Sequence, residues 1–124
     1  MGDISDSLCL PALLQRAGSL ADEEGWSPFR PGVSIRWLYR TEQAGPGAAL
    51  LRYEPGACVP LHEHLGYEHI LVLQGSQTDE RGHYPCGSLV VNPPGSSHSV
   101  RSEDGCVVLI IWERGVRIIE PDRP

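Results

Sequence analysis

The chain has 124 residues, 40% of them apolar and 21% charged, with a formal net charge of −6. That length supports one domain with a single core and excludes two. No apolar run reaches the ~18 residues of a membrane span, and the basic residues are too scattered to form a nucleic-acid or acidic-membrane surface. All ten cationic residues are Arg and none is Lys, which rules out Schiff-base chemistry, a P-loop lysine and an amine general base. The first residues carry acids before Arg16, unlike the basic start and apolar centre of a secretory signal, so the cytoplasm is the expected location.

Residues 1–25 read as a leader with one short helix. Pro11 can open it, Leu13, Leu14 and Arg16 continue it, and Gly18 is where it is expected to close. From residue 26 the pattern turns to short strands divided by Gly, Pro and Asn. Val33, Ile35, Trp37 and Tyr39 alternate with Ser34, Arg36 and Arg40, the period of a half-buried strand. After a turn at Gly45-Pro46-Gly47 a second strand is expected over Ala48–Tyr53, and Pro55-Gly56 breaks it. Further strands are expected over Cys58–His62, Glu68–Leu73, Ser88–Val91, Ser97–Arg101, Val107–Trp112 and Val116–Ile119. Some eight short strands at this spacing make an antiparallel sandwich or barrel. The run Val107–Trp112 is apolar on both faces, so either the leader or a second subunit must cover its outer side. The leader offers little area, and a homodimer is the expectation.

The chemistry concentrates around three histidines. His62 and His64 are separated by Glu63 on one strand, so the two imidazoles share a face and Glu63 points away. A turn expected at Leu65-Gly66 precedes Glu68, and a returning antiparallel strand would set its carboxylate beside them. His98 follows Pro93-Pro94-Gly95 and can close the group. Burying three imidazoles and a carboxylate at one point is costly without an ion. Such N and O donors suit one divalent ion, with Fe, Zn, Mn and Ni all admissible.

Two longer patterns enclose these residues. The first is Gly56-ACVPL-His62-Glu63-His64-LGY-Glu68-HILVLQ-Gly75, and the second is Gly87-SLVVN-Pro93-Pro94-Gly95-SS-His98, with Ser102 where an asparagine often follows. In order and spacing they resemble the two motifs of the cupin superfamily. The segments around Trp26–Val33, LLRYEPGACVPLHEH, YEHILVLQG and YPCGSLVVNPPGSSH are similar to the ChrR-like cupins. That group includes the C-terminal domain of a zinc-dependent anti-sigma factor and 2,4'-dihydroxyacetophenone dioxygenase. The resemblance implies an all-β fold, the double-stranded β-helix or cupin jelly-roll barrel. Residues 26–120 would form that single barrel domain, and residues 1–25 its short N-terminal leader. The resemblance also makes His62, His64, Glu68 and His98 the metal ligands.

Other residues receive plainer readings. His69 should face away from Glu68, and His83 falls in a solvated turn after Arg81-Gly82. The cysteines at 9, 58, 86 and 106 show no paired spacing and read as small buried hydrophobes, Cys58 sharing the strand parity of His62, while the turn-like setting of Cys86 before Gly87 leaves its exposure open. Trp37, Tyr39, Tyr53, Arg52 and Trp112 are candidates for a cavity wall. The ligand set would leave one or two coordination positions open for an anionic or chelating oxygen substrate, and for O₂ if the ion is Fe(II). The leading expectation is a metal-dependent dioxygenase acting on a small oxygenated, even aromatic, substrate. Two alternatives stay open: a non-catalytic metal or ligand sensor, and a metal-assisted isomerase or sugar-binding cupin.

Overall fold

A computed structural model describes residues 6–41 and 45–119. Residues 1–5 of the leader and residue 120, the last of the expected barrel segment, lie outside the described residues. Among the described residues, one helix, α1 (Leu13–Leu20), precedes ten strands. These are β1 (Ser27–Arg30), β2 (Val33–Arg40), β3 (Gly47–Tyr53), β4 (Ala57–His64), β5 (Glu68–Asp79), β6 (Gly82–Pro85), β7 (Leu89–Asn92), β8 (Ser97–Ser102), β9 (Cys106–Trp112) and β10 (Val116–Ile118).

The strands pair antiparallel throughout. β1-β2-β3-β9-β5-β7 form one sheet and β10-β4-β8-β5-β6 the other, with β5 shared. Its residues 68–75 pair with β9, and Ser76–Asp79 pair with β6 on the opposite wall. The result is the expected jelly roll: a curled sheet whose two walls face each other over one core. β5 turns that corner at Gly75, whose φ of +74° falls in the left-handed region. A Cβ there would lie 2.1 Å from the Gly105 carbonyl oxygen, so only glycine fits. Val33, Ile35, Leu51, Ile70, Val72 and Val108 fill the space between the walls.

A second apolar cluster lies on the outer side. Ala17 and Leu20, on one stripe of α1, pack on Leu50, Leu73 and Val107. The helix runs past Gly18, its expected end, because Leu20 is anchored in this cluster; the Trp26 indole N–H then bonds the Leu20 carbonyl at 3.0 Å. So the leader covers part of the outer face of β9. Farther along the same face Ile111, Val91 and Leu89 stay 40%, 48% and 62% exposed.

Several sequence expectations need correction. β1 and β6 were not foreseen, because SPFR and GHYP are short, polar and contain proline. β5 extends to Asp79 instead of Leu73, since the polar residues after Gly75 continue the strand around the corner. Cys58 is exposed, as are Cys9 and Cys86, and only Cys106 is buried. For Cys58 the reason is a bulge between Val59 and His62, which breaks the alternation along β4 and turns Val59 inward instead. No helix among the described residues is long and apolar enough to cross a membrane.

Candidate metal centre

His62, His64, Glu68 and His98 come together in the core, each buried, with one ligand atom from each lying within 4.8 Å of all the others. β4 and β8 supply the imidazoles. His62 sits directly opposite His98 in the β4–β8 register, and His64 follows on the same face as His62. Glu63, between them, turns outward and accepts from Arg117 of β10. The three rings stand edge to face, with centroids 4.7–5.1 Å apart.

Glu68 arrives by a route different from the one expected. Its strand does not return beside β4. Glu68 pairs with Asn92 of β7 and Trp112 of β9, in the facing sheet. The carboxylate therefore reaches the imidazoles across the interior, with Oε1 3.0 Å from His64 Nε2. That approach lacks hydrogen-bond alignment, and His64 Nε2 and His98 Nε2 are buried without a hydrogen-bond partner.

Each ring is held from behind through Nδ1. His62 Nδ1 faces the Pro60 carbonyl at 2.8 Å, His64 Nδ1 the Ser96 carbonyl at 3.1 Å and hydroxyl at 2.9 Å, and His98 Nδ1 the Asp79 carboxylate at 2.9 Å. Carbonyl and carboxylate oxygens only accept, so the imidazole proton belongs on Nδ1 and the Nε2 lone pair is left to donate. Two such lone pairs are orphaned beside a carboxylate in a buried space. An arrangement of this kind is costly unless a cation sits between the donors, and the donor set can hold a divalent ion.

The electrostatics agree with that reading. Burial lowers the His62 pKa, and the neighbouring imidazoles lower it further. For Glu68 burial pushes upward, but its interactions with His64, His98 and His62 outweigh it, leaving the carboxyl below its ordinary range. Asp79 behaves alike: burial raises it, and bonds from His98, Tyr84 and the Arg81 backbone more than offset this.

The group opens on a cavity of about 620 Å³, within the range of small-molecule sites. His62, Glu68 and His98 line it, together with Ile35, Leu51, Ile70 and Ile110. Of the proposed wall residues, Trp37, Tyr53 and Trp112 line it and Tyr39 does not. Arg52 lies on the outer side, bonded to the Ala21 carbonyl and Ser34, because it alternates with the inward Leu51 and Tyr53. Trp37 and Trp112 meet edge to face at 5.4 Å, and the Arg40 guanidinium lies 4.4 Å over Trp37 at the cavity rim. The residues behind the ligands, Asp79, Asn92 and Ser96, escaped the sequence reading. Asn92 alone left a trace there, as a polar side chain at an inward position of an apolar strand.

The family model of the ChrR cupin-like domain matches residues 15–114. The chain belongs to the ChrR-like cupins. No curated protein matches this cupin by sequence. Among solved structures, a cupin-fold protein of unknown function from Ralstonia eutropha is 22% identical with a TM-score of 0.61, over 66% of this chain and 55% of its own. The chain thus spans little more than half of that protein. An acetylacetone dioxygenase from Acinetobacter johnsonii is 14% identical with a TM-score of 0.71, over 77% and 72%. The Rhodobacter sphaeroides complex of SigE with the anti-sigma ChrR gives 22% and 0.66, over 89% and 70%. At these identities the likeness concerns the fold.

Proposed function

We propose that His62, His64, Glu68 and His98 hold one divalent metal ion, and that this cupin is a metal-dependent dioxygenase acting on a small oxygenated substrate with an apolar, even aromatic, body. The observation that carries the reading is the opening of an apolar cavity onto three of the four ligand candidates. When bound, the ion supplies Lewis acidity, and O₂ chemistry if it is iron. The chain's own residues do the rest. Ile35, Leu51, Ile70 and Ile110 exclude water from the substrate body, and the Trp37–Trp112 corner gives an aromatic ring two faces to pack on. Burial pushes the Tyr53 phenol far above its usual value, and its Cys106 and Glu68 neighbours push the same way, so this wall residue stays protonated. Arg40 at the rim favours an anionic ligand.

Residues 26–120 are proposed as the barrel domain, residues 1–25 as its leader, and the cytoplasm as its location. A second copy is proposed to cover the exposed Leu89, Val91 and Ile111, an apolar patch that a two-fold axis can make self-complementary. The ligand assignment predicts that His98→Ala protein, purified beside the wild type, loses its metal. Equal metal content in both would end it. For catalysis, Fe(II)-loaded protein should consume oxygen with a subset of enolic and hydroxyketone substrates. Silence across such a panel would favour a second reading, a metal or ligand sensor, which the structural likeness to the SigE–ChrR complex supports. That reading expects tight zinc and no turnover.

A further inference from the structure

The β5–β6 hairpin tip lies outside both histidine motifs, yet three consecutive residues of it brace the ligand candidates from behind, Asp79 by direct contact with His98 and Glu80 and Arg81 through Ser99 and Asn92. Asp79 ends β5 and Gly82 opens β6, so Glu80 and Arg81 form a two-residue turn. The Asp79 carboxylate is fully engaged. Its Oδ1 accepts from the Arg81 and Gly82 backbone N–H groups at 2.8 and 3.2 Å and from the Tyr84 hydroxyl at 2.8 Å. Its Oδ2 accepts from His98 Nδ1 at 2.9 Å, with Arg81 Nη2 3.6 Å away. Glu80 accepts from the Ser99 backbone N–H and hydroxyl, which fixes β8 at the residue after His98. Arg81 Nη2 donates to Asn92 Oδ1 at 3.1 Å, and Asn92 Nδ2 donates to Glu68 Oε1 at 3.2 Å.

We propose that this hairpin tip is an outer clamp on the metal site, in which Asp79 sets the tautomer of His98 and Arg81, through Asn92, sets the orientation of Glu68. The inference rests on the four-ligand reading above. Two ligands from opposite walls of the barrel are thereby tied to one turn. At Nδ1 only His98 of the three imidazoles faces an anion, whereas His62 and His64 face neutral oxygens there. An anionic acceptor pins the proton on Nδ1 and makes Nε2 a stronger donor. Asp79 and Arg81 are positioning residues, since neither belongs to the ligand cluster itself.

The substitution Asp79→Asn exposes the mechanism. The turn N–H groups and the Tyr84 hydroxyl would keep the amide oxygen, so the amide NH₂ would face His98 Nδ1. A ring nitrogen facing a donor must present its lone pair, and the proton moves to Nε2, the atom needed by the metal. Loss of an outer partner of this kind costs about 10- to 100-fold in metal affinity. Arg81→Met removes one hydrogen bond of the Glu68 arm and should cost about fivefold.

Zinc affinity of the full chain, measured by competition with a chromophoric chelator, tests this for the wild type, Asp79→Asn, Arg81→Met and His98→Ala. In parallel, long-range ¹H–¹⁵N correlation spectra of metal-free protein read the His98 tautomer, a quantity that mere loss of hairpin stability would not move. The clamp requires Nδ1-protonated His98 in the wild type, Nε2-protonated His98 in Asp79→Asn, and weaker zinc in both clamp variants. Unchanged zinc affinity in Asp79→Asn, beside a His98→Ala protein that has lost zinc, overturns the clamp and leaves the site standing. Wild-type zinc affinity in His98→Ala overturns the site itself. Should Asp79→Asn fail to fold, Nε2-protonated His98 in the wild type or unchanged zinc binding by Arg81→Met would still refute the proposal.

Discussion

His62, Glu68 and Asp79 give the metal-free protein an acid-sensitive core. Burial holds the His62 pKa below 6.5, so between its folded value and 6.5 the unfolded chain binds the proton that the folded chain refuses. Stability from this residue is present above pH 6.5 and is lost as pH falls through the folded value. Asp79 and Glu68 are held below 3.8 and 4.5, despite burial working against them, so their contributions persist to lower pH and fail only as those lowered values are crossed. The three effects share one sign. Melting temperatures of chelator-treated protein should hold from about pH 8 to pH 6.5 and then fall in two stages toward pH 3. A His62→Ala variant should lack the upper stage. A flat wild-type profile between pH 7 and pH 4.5 would contradict the assignment.

At the scale of elements, α1 matters more than its eight residues suggest. It lacks a side-chain N-cap bond, and an isolated helix of that length is not stable in water. Packing therefore holds it, through Leu20, which is fully buried against Leu50, Leu73 and Val107. Leu20→Ala should destabilise the protein by about 2–5 kcal/mol in denaturant titrations. A loss under about 1 kcal/mol would mean that the helix is only loosely docked. The strands that carry alternating or continuously apolar residues, β2, β3 and β9, were legible in the sequence because their burial pattern is written in residue type. β1, β6 and the second half of β5 were not. Their residues are polar, and they are strands because neighbouring strands offer backbone partners, a condition no local pattern encodes.

For the whole molecule, the sheet face that α1 leaves open bears on the oligomeric state. Leu89, Val91 and Ile111 extend the apolar surface beyond the helix, and His69, between them in register, faces outward as expected. Arg placed at Val91 or Ile111 should convert a sedimenting dimer into a monomer without altering the metal content. A wild-type protein that sediments as a monomer at high concentration would remove the dimer from the proposal. The four ligand candidates were legible in the linear chain, because H-x-H on one strand and the spacing of the two glycine- and proline-flanked motifs are local in sequence. The strand pattern gave only a sandwich or barrel, and the jelly roll came from the resemblance of those motifs to the cupins. That Glu68 meets the imidazoles from the opposite wall, that Cys58 faces out, and that Asp79 and Arg81 lie behind the ligands were decided by tertiary structure alone. Each depends on a bulge, a corner or a hairpin that brings distant backbone together, and such contacts leave no period in the sequence.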